Sequence, residues 1–351
     1  MISFYDTSTL PTEQMLAAMQ TAPLGDDVYG LDPTVNKLEA LAAEMLGKQA
    51  SVFMASGTLA NLAALLAHVR RGDEVVLEED AHIAYYETGG LAAVAGCMPL
   101  LLKGERGLLH PELIEPRLRR PNDHYPPTSL ICVENTHNRA GGTITPPEVM
   151  EGLQELADRH DLRLHLDGAR IFNAAVGLGV PARELVCHAD SVSVSLSKGL
   201  SAPVGSLLAG TTEFIARARR ARKMLGGGMR QAGVLAAAGI VALQSGIHRL
   251  ADDHARAREL ADRLSAIPGL SVDPNEVETN MVLIDTSGTE IPAPEMVQRL
   301  RSDHDILASA RPPYSVRFVT HRHIGNAEVT ALLHALTEIA GVPEASSSIH
   351  R

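Results

Sequence analysis

His165-Leu166-Asp167-Gly168-Ala169-Arg170 and, after a spacer, Ser191-Val192-Ser193-Val194-Ser195-Leu196-Ser197-Lys198-Gly199 decide how the rest of the chain is read. Leu162, Leu164 and Leu166 alternate with Arg163 and His165, the period of a strand, and the run ends at Asp167. Val192, Val194 and Leu196 alternate with serines and predict a second strand that ends just before Lys198. In an open α/β sheet, ligand-handling groups gather beyond the carboxyl ends of the strands. Asp167 and Lys198 are therefore expected side by side at that edge. Two residues alone also have a plainer explanation. A strand-end Asp is often a helix N-cap, and a lysine after serines is often a solvated loop charge.

Working outward, the totals narrow the classes. The chain has 351 residues, about two domains by length, and 45% of them are hydrophobic, enough for a sizeable core. A net charge of −11 argues against a nucleic-acid partner, which needs a basic face. Cys97, Cys132 and Cys187 form no CxxC pair, so neither a disulfide framework nor a zinc site is expected. Met1-Ile2-Ser3-Phe4-Tyr5-Asp6 lacks the basic and apolar regions of a signal peptide. The apolar stretch 232–243 is too short for a bilayer, which takes about 20 residues. The expectation is a cytoplasmic protein with no membrane partner.

Further polar residues fall beyond apolar runs. Ser51 to Ala55 reads as a strand, Ser56-Gly57-Thr58 follows, and a helical pattern resumes at Leu59. That order suits a phosphate: glycine admits a close approach and the helix N-terminus offers free N–H groups. A simple N-cap explains it equally well. Strand 74–77 precedes Asp80-Ala81-His82, and strand 129–133 precedes Glu134-Asn135-Thr136-His137-Asn138. A histidine so placed can stack on a ring or move a proton; it can also merely begin a helix. Gly25-Asp26-Asp27-Val28-Tyr29-Gly30 is read as a solvated turn and His321-Arg322-His323 as a surface loop, so no metal ligands are assigned. Arg230 follows three glycines and is expected on a loop, and residues 232–243 as a buried helix at a domain junction or subunit interface.

Strands and helices alternate over most of the first 245 residues, which predicts an α/β fold with a mainly parallel sheet. Ser56-Gly57-Thr58, His82, Glu134, Asp167 and Lys198 all fall at or just past strand ends. Together they supply what pyridoxal phosphate (PLP) requires: a phosphate anchor, a stacking ring, an acid for the pyridine nitrogen and a lysine for the aldehyde.

The longer runs carry a resemblance. Beside those above they include Tyr86-Glu87, His165 to Asn173, Leu196-Ser197-Lys198-Gly199, Ala202-Pro203-Val204-Gly205, Lys223 to Gln231, and Val316-Arg317-Phe318-Val319-Thr320-His321. In these the chain resembles the low-specificity L-threonine aldolases, PLP enzymes of the aspartate-aminotransferase-like fold. The resemblance implies a seven-stranded large domain of fold type I and a smaller α+β domain. The boundaries expected are an arm at 1–22, the PLP-binding domain at 23–245, the small domain at 246–345 and a tail at 346–351. It also implies roles. Lys198 would hold the cofactor, Asp167 would pair with its ring nitrogen, and His82 would stack on the ring. Gly57 and Thr58 would hold the phosphate, with Arg230 and Lys223 from a neighbouring subunit of a homodimer or homotetramer. Glu134 is placed with the cofactor ligands. Arg170, near the cofactor, would join Arg317 on the substrate carboxylate, with Tyr5, Tyr29 and Tyr86 also lining the substrate site. His82 and His124 are the histidines linked to catalysis. The reaction implied is cleavage of a β-hydroxy-α-amino acid, such as threonine or allo-threonine, to glycine and an aldehyde. Transaminase, racemase or β-eliminating chemistry on the same fold is the rival, and a non-catalytic PLP-binding protein a third. One departure stands out: Phe4-Tyr5 occupies the place of an Arg-Ser pair in the family, which points to a reshaped substrate pocket.

Overall fold

A computed structural model of the chain describes residues 1–119 and 122–341, and these divide into two compact units. Strand β1 (Ile2–Ser3) belongs to the smaller one. The larger, Leu10–His248, is built on a 7-stranded sheet. Its strands are β2 (Ala50–Met54), β3 (Glu74–Glu78), β4 (Met98–Leu102), β5 (Thr128–Glu134), β6 (Arg163–Asp167), β7 (Ser191–Ser195) and β8 (Ser206–Gly210). They lie in the order β2-β8-β7-β6-β5-β3-β4.

The pairs β6–β7, β5–β6, β3–β5 and β3–β4 are parallel; β8 is antiparallel to both β7 and β2. Six strands therefore share one direction and β8 alone opposes it. The carboxyl ends of β2, β3, β5, β6 and β7 fall on a single edge, and the amino end of β8, Ser206, joins them there. The fold is the mainly parallel α/β architecture expected.

All five residues of β7 are buried. Its Val/Ser alternation thus separates an apolar face from a hydrogen-bonded polar face, both inside the protein. The helix Gly57–His68 covers the polar face, and the Ser193 hydroxyl donates to Asn61 Oδ1 at 2.7 Å.

The expected 1–22 arm is divided. Residues Glu13–Thr21 form a helix of the larger unit, with the Thr12 hydroxyl accepting from the Met15 amide at 3.2 Å. Residues Met1–Thr9 go instead with Arg249 onward. There β1 pairs in parallel with β10 (Ile306–Leu307), and β9 (Met281–Asp285), β11 (Ser309–Arg311) and β12 (Ser315–Val319) form an antiparallel sheet in the order β11-β12-β9. Phe4 is fully buried in this unit's core, edge-on to Phe318 with centroids 5.4 Å apart. The pocket effect suggested for Phe4 is corrected accordingly: its ring is core. The residues expected as a tail, 346–351, lie outside those described, as does the end of the small domain at 345.

The apolar stretch 232–243 forms the buried helix Gly233–Val241, continued by a π-helical turn. Among the described residues no single helix is long and apolar enough to cross a membrane. Its start is tied to the rest of the unit by Asp32, which is fully buried. Asp32 Oδ1 accepts from the Thr34 and Val35 amides, each at 3.0 Å, and caps the helix Pro33–Leu46. Its Oδ2 accepts from the Gly233 amide at 2.9 Å and the Gly25 amide at 3.2 Å. One carboxylate thus joins its own helix and the nearby Gly25 to Gly233, 201 residues away in sequence. Asp32→Ala leaves four amides without their acceptor and should cost roughly 2–4 kcal/mol, read as a lower midpoint in urea unfolding.

Candidate active site

The edge is assembled from five short turns. After β2, the Ser56 hydroxyl accepts from the Leu59 amide at 3.2 Å and caps the helix that begins at Gly57. The first-turn amides of Gly57 and Thr58 have no acceptor within the helix, the usual state of a helix N-terminus. Beside them the Ser206 hydroxyl is buried without a hydrogen-bond partner, 3.6 Å from where a Gly57 Cβ would stand. After β6 the chain turns at Gly168, where a Cβ would come within 2.9 Å of the Ser193 carbonyl, so only glycine fits. The Ala169 amide then donates to Asp167 Oδ1 at 3.1 Å.

Asp167 is buried at 3% exposure and accepts from Asn61 Nδ2 at 2.8 Å. Burial pushes its carboxyl up. The positive charges of His82 and Lys198 and the Asn61 hydrogen bond outweigh that, and hold it below the usual carboxylate range. It is an internal anion. Lys198 lies half-buried beyond β7, near enough for its charge to act on both Asp167 and His82.

His82 opens the segment after β3. Its Nδ1 meets Glu87 Oε1 at 2.9 Å, and its backbone amide donates to Glu134 Oε2 at 2.8 Å. Burial pulls the imidazole pKa down, but the Glu87 hydrogen bond and the Asp167 charge raise it overall. Burial raises the Glu87 carboxyl in turn, with the His82 hydrogen bond opposing. Ligand atoms of His82, Glu87 and Asp167 lie within 4.8 Å of one another. Glu134 uses its other oxygen on the Asn138 amide, at 3.0 Å, so its carboxylate braces the turns after β3 and β5.

The remaining residues named from sequence fall in several places. Arg170 is buried, with Nη1 3.4 Å from Asn138 Oδ1. Tyr86 is exposed, its ring 5.5 Å from that of His82 and its hydroxyl 3.1 Å from Arg139 Nη1. Arg139 also binds Asp80 at 2.8 Å. Tyr29 is exposed 5.8 Å below the Arg230 guanidinium, and Arg230 pairs with Asp26 at 2.9 Å. Lys223 is exposed, and a Cβ on Gly228 would stand 3.1 Å from its Cδ. His124 sits on an exposed loop, its amide bonded to Asn122 at 2.7 Å and its ring 6.5 Å from Tyr125. No hydrogen bond or ring contact joins it to the Asp167 group among the described residues. Tyr5 and Arg317 belong to the smaller unit, where the Tyr5 hydroxyl donates to the Ala308 carbonyl and Arg317 Nη2 donates to Ser309 Oγ at 3.3 Å.

Sequence reasoning missed several groups. Asn61 lies one helical turn past Gly57, a spacing that could have placed both on the same face. Asp27 was read as part of a solvated turn; it is buried at 3% and pairs with Arg222 at 2.9 Å. Arg222 lies among several basic residues of the helix Thr212–Met224 and donates to the Phe53 carbonyl at 2.8 Å.

Comparison with known proteins gives this edge its context. A family model described as "Beta-eliminating lyase" matches residues 4–287. The chain belongs to that family. It is 44% identical over 338 residues to a probable low-specificity L-threonine aldolase 2 of Arabidopsis thaliana, covering 95% of both chains. It is 42% identical over 330 residues to the low specificity L-threonine aldolase of Escherichia coli strain K12, covering 93% of this chain and 96% of that one. Among solved structures, a threonine aldolase of Leishmania major aligns with a TM-score of 0.83 at 22% identity, over 97% of this chain and 100% of that one. A putative L-allo-threonine aldolase of Listeria monocytogenes aligns with a TM-score of 0.79 at 22% identity, over 96% of each chain. At that identity the structures speak for the fold.

The donor set at the edge fits PLP. It offers an internal carboxylate anion for a pyridine nitrogen, a lysine on the neighbouring strand end, and an orphaned hydroxyl with helix amides for a phosphate.

One neighbour supplies a pH test. His165, on β6, is fully buried with Nδ1 2.8 Å from Ser191 Oγ, and burial pulls its imidazole down to about 4. The unfolded chain binds a proton there from pH 6.5 downward, whereas the folded chain does so only near 4. Its contribution is therefore complete above 6.5, and folding stability falls as pH drops from 6.5 towards 4. His165→Gln should flatten that slope by about one proton, measured as urea unfolding free energy against pH.

Proposed function

We propose that the chain is a PLP-dependent aldolase. It cleaves the Cα–Cβ bond of L-threonine, L-allo-threonine or related β-hydroxy-α-amino acids to glycine and an aldehyde. The observation that carries this reading is the buried Asp167 anion set beside Lys198 at the sheet edge, in a chain 44% identical to a probable low-specificity L-threonine aldolase. When bound, PLP supplies the sink for the electron pair left at Cα as the bond breaks.

The chain's own residues do the rest. Lys198 would hold the cofactor by its aldehyde. Asp167 keeps a negative charge where the pyridine nitrogen needs its proton. Gly57 and Thr58 amides hold the phosphate, with Arg230 and Lys223 contributed across a subunit interface. Arg170 and Arg317 take the substrate carboxylate, where a planar bidentate donor suits it. Tyr5, Tyr29 and Tyr86 bound the substrate site.

His82 receives the β-hydroxyl proton. Its Nδ1 is engaged by Glu87, which leaves Nε2 for the substrate. A base must be neutral to accept, so turnover rises with pH through the raised pKa of His82. His124 is the second candidate for this proton, from its exposed loop. The enzyme acts in the cytoplasm as a homodimer or homotetramer with shared sites.

The description of the matched family favours a second reading, β-elimination on the same cofactor. Steady-state assays with threonine, allo-threonine, phenylserine and serine separate the two. Aldolase activity yields glycine and the matching aldehyde, whereas β-elimination from serine yields pyruvate and ammonia. Lys198→Ala should lose the pH-dependent absorbance band of lysine-linked PLP and nearly all turnover; normal turnover in that variant would falsify the reading.

A further test concerns Tyr5. Tyr5→Phe removes one hydroxyl and keeps the ring. If that hydroxyl serves recognition, the ratio of threonine to phenylserine kcat/KM shifts about tenfold. A ratio within about twofold of the parent in both Tyr5→Phe and Tyr5→Ser, which also removes the ring, would take Tyr5 out of the substrate site.

A further inference from the structure

A run of polar side chains, buried as far as Ser191 and half-buried at His68, leads away from Asp167, and the reaction just described uses none of it. Asn61 stands at its head. Its Nδ2 donates to Asp167 Oδ2 at 2.8 Å and to Glu87 Oε1 at 2.7 Å. Both amide hydrogens are thus spent on carboxylates, and the reverse orientation would set its carbonyl against two acceptors.

The remaining protons follow one from another. Asn61 Oδ1 accepts from Ser193 Oγ at 2.7 Å and lies 3.3 Å from His165 Nε2. That nitrogen must carry the proton, so His165 Nδ1 is an acceptor. It takes the hydroxyl hydrogen of Ser191, 2.8 Å away. Ser191 has no second proton, so its oxygen accepts from His68 Nε2 at 2.7 Å. The His68 ring lies stacked on Phe214, centroids 4.4 Å apart. Both imidazoles have to be neutral for this pattern, and burial holds both below the ordinary histidine value. Every donor in the run points towards Asp167, so each bond polarises the next.

We propose that Asn61, His165, Ser191 and His68 form a positioning chain that fixes the orientation of the Asp167 carboxylate and thereby sets how tightly PLP is held. The inference rests on the assignment of Asp167 to the cofactor's ring nitrogen. None of the four touches the reacting atoms. A purely structural role for the same groups would be satisfied by any filling that packs as well.

The two are separated by titrating PLP into apoprotein, followed by absorbance, with kcat and the apoprotein melting temperature measured alongside. The variants are Asn61→Leu, His165→Met and His165→Gln. Asn61→Leu should weaken PLP binding by about tenfold to a hundredfold, the worth of one hydrogen bond to an ionised group. His165→Met and His165→Gln are close in size, but only glutamine can donate to Asn61 Oδ1. His165→Met should weaken binding by about tenfold, and His165→Gln should restore it to within about threefold of the parent. If methionine and glutamine are equally good or equally poor at matched melting temperatures, the chain is packing and the proposal is overturned. Where Asn61→Leu does not fold, the His165 pair decides. A parent protein that binds no PLP at all refutes the functional reading itself, a result distinct from variants that match the parent.

Discussion

Keeping a carboxylate charged inside a protein is costly, since burial favours its neutral form by several kcal/mol unless partners are supplied. Asp167 is where this chain meets that cost. It sits at the end of β6, a central strand of the sheet, with β5 and β7 on either side. Each neighbour brings something to it: β7 the serine and the lysine beyond, the helix after β2 the amide, the turn after β3 the histidine. Remove the charge and there is little reason for Asn61, Ser193 and His82 to converge.

The strand ends were legible because a parallel sheet collects its carboxyl termini on one edge, and an apolar run closed by a polar group marks such an end in one dimension. Asp167, Lys198, His82 and Ser56-Gly57 could be found so. The direction of β8 could not, since an antiparallel strand in a parallel sheet has the same hydrophobic pattern as its neighbours. Polarity misled wherever the polar side was also buried. The serines of β7 are all buried, and Asp27 lies in a run whose polarity reads as a solvated turn although it pairs with Arg222 inside the protein. Their pairing spans almost 200 positions of sequence, and a buried ion pair leaves no periodic trace.

Residue type and location also say less than geometry does. Glu134 has the position of a ligand-binding acid, yet both its oxygens are engaged by backbone amides. Its contribution is to lock two turns together, one of them carrying His82. Phe4 had the position of a pocket residue and is packed into a core because the strand before it is paired. In each case the deciding partner lies far away in sequence.

The split membership of the first nine residues bears on how the chain is made. Strand β1 is synthesised well before its partner β10, which comes some 300 residues later. At about 5–20 residues per second, β1 and Phe4 wait on the order of 15–60 s before their half of the sheet pair and core exists. The larger unit, continuous from Leu10 to His248, is complete well before then. A nascent chain would therefore hold one folded body while β1 and Phe4 are still unmatched, and the smaller body would close only as β9 to β12 emerge.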